Sequence, residues 1–150
     1  MSRRRSPPTQ AGFSLIEILV AVLIVSVGVL GVAGLQLLSL QNNTSAMFRT
    51  QAFQSAYGIM DRARANPGED YSIAMDDDPP AAEDCTAADC SPSEMRDYDQ
   101  ASWLAELAAT LPEGDGEVDV SGGTTRVTVR WQDDRNPDAA PLDVSVETSM

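Results

Sequence analysis

The chain has no histidine and no lysine; all ten basic residues are arginines. The missing histidine removes the commonest general base and metal ligand. No nucleophile motif and no phosphate-binding glycine loop is present, so an enzyme is not expected. Cysteine is nearly absent: Cys85 and Cys90 are the two in 150 residues. A Cys-x4-Cys metal site needs two further ligands of the right kind, and none is evident, so neither a metal nor a cofactor is expected. Basic residues are missing between Arg5 and Arg49, and proline is missing between Pro8 and Pro67. The net charge of -13 argues against nucleic-acid or anionic-surface binding as the main role.

What is present begins with a polar leader holding Arg3, Arg4 and Arg5. Ile18 to Leu35 follows without a charge or a proline, roughly 27 Å of helix, which matches a bilayer. Positive charge on the leader retains that flank in the cytoplasm and sends the rest across. Gly28, Gly31 and Gly34 permit close helix approach in a membrane or bundle, or are ordinary transmembrane composition. With an N-terminal membrane signal, the cysteine pair points to an oxidising compartment and a small disulfide-closed loop; two free structural thiols are the alternative.

Polarity enters at Gln36, yet the helical pattern continues. Ala52, Phe53, Ala56, Tyr57, Ile59, Met60 and Ala63 recur at three- and four-residue spacing and form one apolar face. The spacing predicts a single helix from Phe13 to Ala65, roughly 80 Å long, ended by Asn66-Pro67-Gly68. Residues 67–91 are acidic and turn-rich and read as a surface loop. Asp76, Asp77 and Asp78 lack the spacing of a calcium loop, which favours solvated charge over a calcium site. Ser91 or Ser93 caps a second helix, with Pro92 and Glu94 in its first turn, a stripe of Leu104, Leu107, Ala108 and Leu111, and Trp103 as a core residue. Pro112 and Gly114 stop it. Period-two runs at Val118/Val120, Val127/Val129/Trp131 and Leu142/Val144/Val146 give an antiparallel meander, with a hairpin at Gly122-Gly123 and a longer polar connection over 133–141. The fold expected is α+β: a long N-terminal helix, transmembrane in its first half and amphipathic in its second, packed on a small antiparallel sheet.

One residue conflicts with a plain membrane anchor. Glu17 sits just inside the apolar run, where an ionised carboxylate costs roughly 2.5–3.5 kcal/mol if central and less near the interface. It calls for a partner. Phe13 lies four residues earlier on the same helix face, and cleavage after Gly12 creates an ammonium group there. Between neighbouring helices that pair sets axial register more than it adds stability.

Gly12-Phe13-Ser14-Leu15-Ile16-Glu17, with a basic leader before and an apolar helix after, resembles the class III signal of type IV pilin-like proteins. The resemblance implies cleavage between Gly12 and Phe13 by a prepilin peptidase, N-methylation of Phe13, and a role for Glu17 in recruiting and registering subunits. Asp61-Arg62-Ala63-Arg64-Ala65-Asn66-Pro67, Trp103, Leu111-Pro112-x-Gly114-x-Gly116 and Val127-Thr128-Val129-Arg130-Trp131 are similar to the minor pilin subfamily called type IV pilus modification protein PilV. Unlike major pilins, the chain has no helix-kinking proline in the apolar half; Gly34 lies in that region.

The resemblance implies a minor pilin that primes type IV pilus assembly at or near the tip. Its expected partners are the prepilin peptidase, other minor pilins and the major pilin through the N-terminal helix, and the inner-membrane assembly machinery. The expected parts are a cleaved leader (1–12), an assembly helix (13–35), its amphipathic continuation (36–66) and a periplasmic globular domain (67–150). The protein is expected in the inner membrane before assembly and in the pilus afterwards. A type II secretion pseudopilin shares the signal. A membrane-tethered periplasmic binding protein fits the basic leader and the small residues Val32-Ala33-Gly34, but leaves Glu17 unexplained.

Overall fold

The computed structural model describes residues 12–132 and 140–149. The basic leader up to residue 11, and residues 133–139 of the expected polar connection, lie outside the described residues. The element order is α1 (Leu15–Ala65), α2 (Pro92–Thr110), β1 (Asp115–Ser121), β2 (Thr124–Trp131) and β3 (Leu142–Ser149). Helix α1 starts two residues later than the periodicity predicts. The chain divides into two compact units, Met1–Leu40 and Gln41–Met150.

In the first unit the structure is the N-terminal part of α1. Each residue from Gly12 to Leu40 is exposed, including all the large aliphatic side chains of the run. The helix contains an 18-residue window of mean hydropathy 2.8 with none of it buried, so it is long and apolar enough to cross a membrane.

In the second unit α1 and α2 pack on a three-stranded antiparallel sheet of order β1-β2-β3. The buried stripe of α1 is Ala52, Ser55, Ala56, Ile59, Met60 and Ala63. Phe53 and Tyr57 do not belong to it: they are 36% and 54% exposed. Each follows a buried alanine by one residue, which turns it about 100° away from the core at 3.6 residues per turn. The stripe is built mostly of small residues.

Ser91 is the N-cap of α2, and Glu94 completes a capping box: the Ser91 N–H donates to Glu94 Oε2 at 2.8 Å. Pro92 occupies the first turn, where a missing N–H costs nothing. The helix ends at Thr110, directly before Leu111-Pro112. Trp103 is buried, and its indole N–H donates to the Ser55 carbonyl at 3.2 Å, fixing α2 against α1. Under it lies Gly116 of β1. A Cβ at Gly116 would collide with the Trp103 ring and with Leu107, so only glycine allows this approach.

The sheet alternates as the sequence pattern requires. Val127, Val129 and Trp131 of β2 are buried with Val118 of β1 and Val144 of β3. Val120 is an exception, 44% exposed at the end of β1. Gly122 and Gly123 have φ of 60° and 79°, the left-handed pair that a two-residue I′ hairpin demands. The outer face pairs charge across strands: Arg126 of β2 reaches Glu147 of β3 at 3.1 Å, and Thr128 bonds Ser145 at 3.0 Å.

The acidic segment after Pro67 is less superficial than its composition predicts. Tyr71 is fully buried, and Ile73 forms a two-way backbone bridge with Val118 on the edge of β1, at 3.0 and 2.9 Å. Cys85 and Cys90 are joined by a disulfide, with Cα atoms 5.6 Å apart.

Candidate functional site

The candidate site is the segment Gly12 to Glu17 with the helix it opens. Gly12, Phe13 and Ser14 precede the helix, and the Ser14 carbonyl accepts from the Glu17 and Ile18 N–H groups at 3.1 and 3.3 Å. Glu17 therefore stands in the first turn, at the end where free N–H groups favour a carboxylate. Phe13 is 81% exposed ahead of it. Phe13, Glu17, Ile18, Ala21 and Val22 line one shallow hollow on the helix surface, so residue 13 and the carboxylate share a face. Further along, Val25, Gly28, Val29, Val32, Ala33 and Gln36 line a second groove. Gly28 belongs to that groove; Gly31 and Gly34 do not line it. All three have open space where a Cβ would stand, so no contact among the described residues requires them.

Gly12 and Phe13 lie outside the helix, and both are exposed. An amine at residue 13 would join a carboxylate one helical turn away. An apolar surface surrounds both, so their attraction is strong wherever water is excluded.

The second unit holds the remaining predicted residues. The Cys85–Cys90 bond closes a small loop immediately before the Ser91 cap, and Asp84 within the same stretch accepts from the Thr86 hydroxyl at 2.6 Å and the Thr86 N–H at 3.0 Å. Those bonds hold the Asp84 carboxyl below its ordinary value. Hydrogen bonds from Ser91 do the same for Glu94.

Of the aspartate triplet, Asp76 is ion-paired with Arg130, which also reaches Asp115 at 3.1 Å. The Arg130 guanidinium holds the Asp76 carboxyl below its usual range. Asp77 accepts from the Ala74 N–H at 3.0 Å. Two of the three carboxylates thus have partners in the protein, and no cluster fit to hold a metal ion occurs among the described residues.

A polar network at the end of α1 gave no sequence signal. The Tyr71 hydroxyl donates to Asp99 at 2.8 Å and accepts from Asn66 at 3.2 Å; Arg62 stands 3.6 Å from Asp99 and donates to Ser102 at 2.7 Å. Burial, reinforced by the Asp99 carboxylate, pushes the Tyr71 hydroxyl up to about 12. The tyrosine is a fixed neutral donor there. It ties the first residues of the acidic segment to both helices.

Comparison with known proteins adds one positive finding. No curated protein and no solved structure matches the chain. Residues 7–33 match the family described as the prokaryotic N-terminal methylation motif. The match spans the Gly12-Phe13 bond, Glu17 and most of the exposed apolar helix. The motif is the prepilin-type signal shared by type IV pilin-like and pseudopilin proteins, which is processed by a prepilin peptidase, and the long apolar helix after it fits an inner-membrane anchor.

Proposed function

We propose that the chain is a minor pilin of the PilV-like kind, which helps start type IV pilus assembly and is incorporated at or near the tip. In this reading prepilin peptidase cuts between Gly12 and Phe13, and the new Phe13 amine is N-methylated. The leader with Arg3, Arg4 and Arg5 holds the N-terminus in the cytoplasm, and the unit beginning at Gln41 lies in the periplasm. On assembly, Glu17 of one subunit meets the Phe13 amine of a neighbour and sets the axial stagger. Neighbours are other minor pilins and the major pilin, met through the N-terminal helix.

One observation carries the reading. Within the matched motif, a carboxylate opens a helix whose apolar residues up to Leu40 are all exposed. Such a helix requires lipid or other helices around it, and the carboxylate requires a cation.

N-terminal sequencing of the mature protein tests it. The expected start is methyl-Phe13; a start near Leu35, at Met1 or at Ser2 sinks the proposal. Gly12→Leu is expected to abolish processing, read as retention of the precursor mass. Glu17→Ala is expected to leave insertion and cleavage intact while incorporation into surface filaments falls. Unchanged pilus number in that strain contradicts the register role.

A further inference from the structure

The two edges of the sheet are not equivalent. The β1 edge is occupied at its centre, where Ile73 bonds Val118 in both directions. The β3 edge is open: β3 pairs with β2 on one side, and on the other no strand lies among the described residues. An edge of this length presents a row of unpaired N–H and C=O groups.

Both faces of β3 are incomplete along that edge. Toward the core, Val144 is buried, but Leu142 and Val146 are only partly covered. Toward solvent stand Asp143, Ser145 and Glu147, all exposed. Their partners in β2 are Arg130, Thr128 and Arg126. Arg126 answers Glu147 at 3.1 Å. Arg130 is drawn instead to Asp76 and Asp115, so Asp143 has no ion pair among the described residues. The sheet therefore already shows what complements β3 on its occupied side: cations four residues apart on one face, and β-branched residues alternating on the other.

A second copy of β3 does not meet that requirement. Antiparallel pairing centred on Ser145 sets Asp143 against Glu147, and like charges directly opposite are destabilising. The β1 edge is no better, since it offers Glu117 and Asp119. The net charge of -13 adds a longer-range penalty to self-association.

We propose that the outer edge of β3 receives an extended strand of a different, basic protein. That strand places Lys or Arg side chains opposite Asp143 and Glu147 and apolar side chains beside Leu142 and Val146. Main-chain hydrogen bonds supply the affinity, and the charge pattern supplies the choice of partner. The proposal rests on the sheet alone and not on the N-terminal segment, so either reading can fail without the other.

The probe is a synthetic peptide with this chain's own β2 sequence, Thr-Thr-Arg-Val-Thr-Val-Arg-Trp, and a control peptide with glutamate at both arginine positions. Each is titrated into the full chain in neutral detergent, with amide hydrogen exchange read residue by residue. The arginine peptide is expected to slow exchange in β3, with binding weakened by salt. Asp143→Lys is expected to weaken it by roughly five-fold, as the loss of a cross-strand charge pair and its replacement by repulsion implies. Asp143→Asn is a milder second variant, expected to give part of that loss. Asp143 has no ion pair among the described residues, so its variants are expected to melt like the parent.

Four results overturn the proposal: equal binding of the glutamate peptide, protection at β1 instead of β3, loss of β2 protection through strand replacement, or self-association of the chain through β3 without peptide. Binding that neither Asp143 variant changes also overturns the charge pattern.

Discussion

The two parts of helix α1 use the same backbone and opposite side-chain logic. Up to Leu40 the helix carries large aliphatic residues on all sides, and every one is exposed. Beyond Gln41 the residues that reach the core are mostly small: Ala52, Ser55, Ala56 and Ala63 beside Ile59 and Met60. Hydrophobicity alone ranks these parts in the wrong order for burial. Periodicity ranks them correctly, because a one-sided apolar stripe can be buried against a core, whereas an all-round apolar surface has no single face to bury. The second part finds its partners inside the chain. The first has none among the described residues, and lipid or other helices would supply them.

The comparison breaks if substitutions in the two parts have similar effects on thermal unfolding of the second unit. The largest effect is expected at Trp103, which fills the space between α1, α2 and β1. Trp103→Ala is expected to cost about 3–5 kcal/mol, read in a detergent-solubilised melt. Leu23→Ala in the first part is expected to leave the same transition in place, because Leu23 is exposed and outside the core cluster. Next comes Gly116→Ala. Its Cβ would overlap the Trp103 ring and Leu107, and overpacking of this kind costs about 1–3 kcal/mol. A variant that melts like the parent contradicts the close approach of α2 to β1.

Ser91→Ala is expected to cost about 1 kcal/mol, the usual worth of an N-cap hydroxyl. Its pH dependence sharpens the assignment. Ser91 holds Glu94 below its ordinary carboxylate value. A depressed folded value means that the stabilisation is present above the unfolded value and is lost as pH falls through the folded one. The gap in melting temperature between parent and Ser91→Ala is therefore expected at neutral pH and should narrow below about pH 4, near the ordinary carboxylate range. A gap that widens in acid contradicts the capping box.

Local patterns were legible in the sequence. Gly12 to Glu17 is contiguous, so the candidate site could be read without a fold. The period-two strands, the Gly122-Gly123 turn and the Ser91-Pro92-x-Glu94 start are also local signals, and the structure has each of them. Singular residues were not legible. Tyr71 sits in an acidic, turn-rich segment with no periodicity to mark it, and its hydroxyl partner Asp99 comes from α2, 28 residues on. The Asp76–Arg130 contact joins residues 54 apart in sequence. Phe53, Tyr57 and Val120 obey the right period but lie at the margin of their faces, where a difference of one position decides between core and solvent.

The anchoring of the acidic segment has a further consequence. Its start is tied down by Tyr71, Ile73 and Asp76, and its end by the Cys85–Cys90 bond and the Ser91 cap. Between them Ala81, Ala82 and Glu83 are exposed. A foreign peptide spliced between Ala81 and Ala82 would leave those anchors and the sheet untouched, as exposed loop tips allow. The same chain then becomes a carrier, and an epitope placed at that point would report by antibody labelling where on the cell the subunit resides.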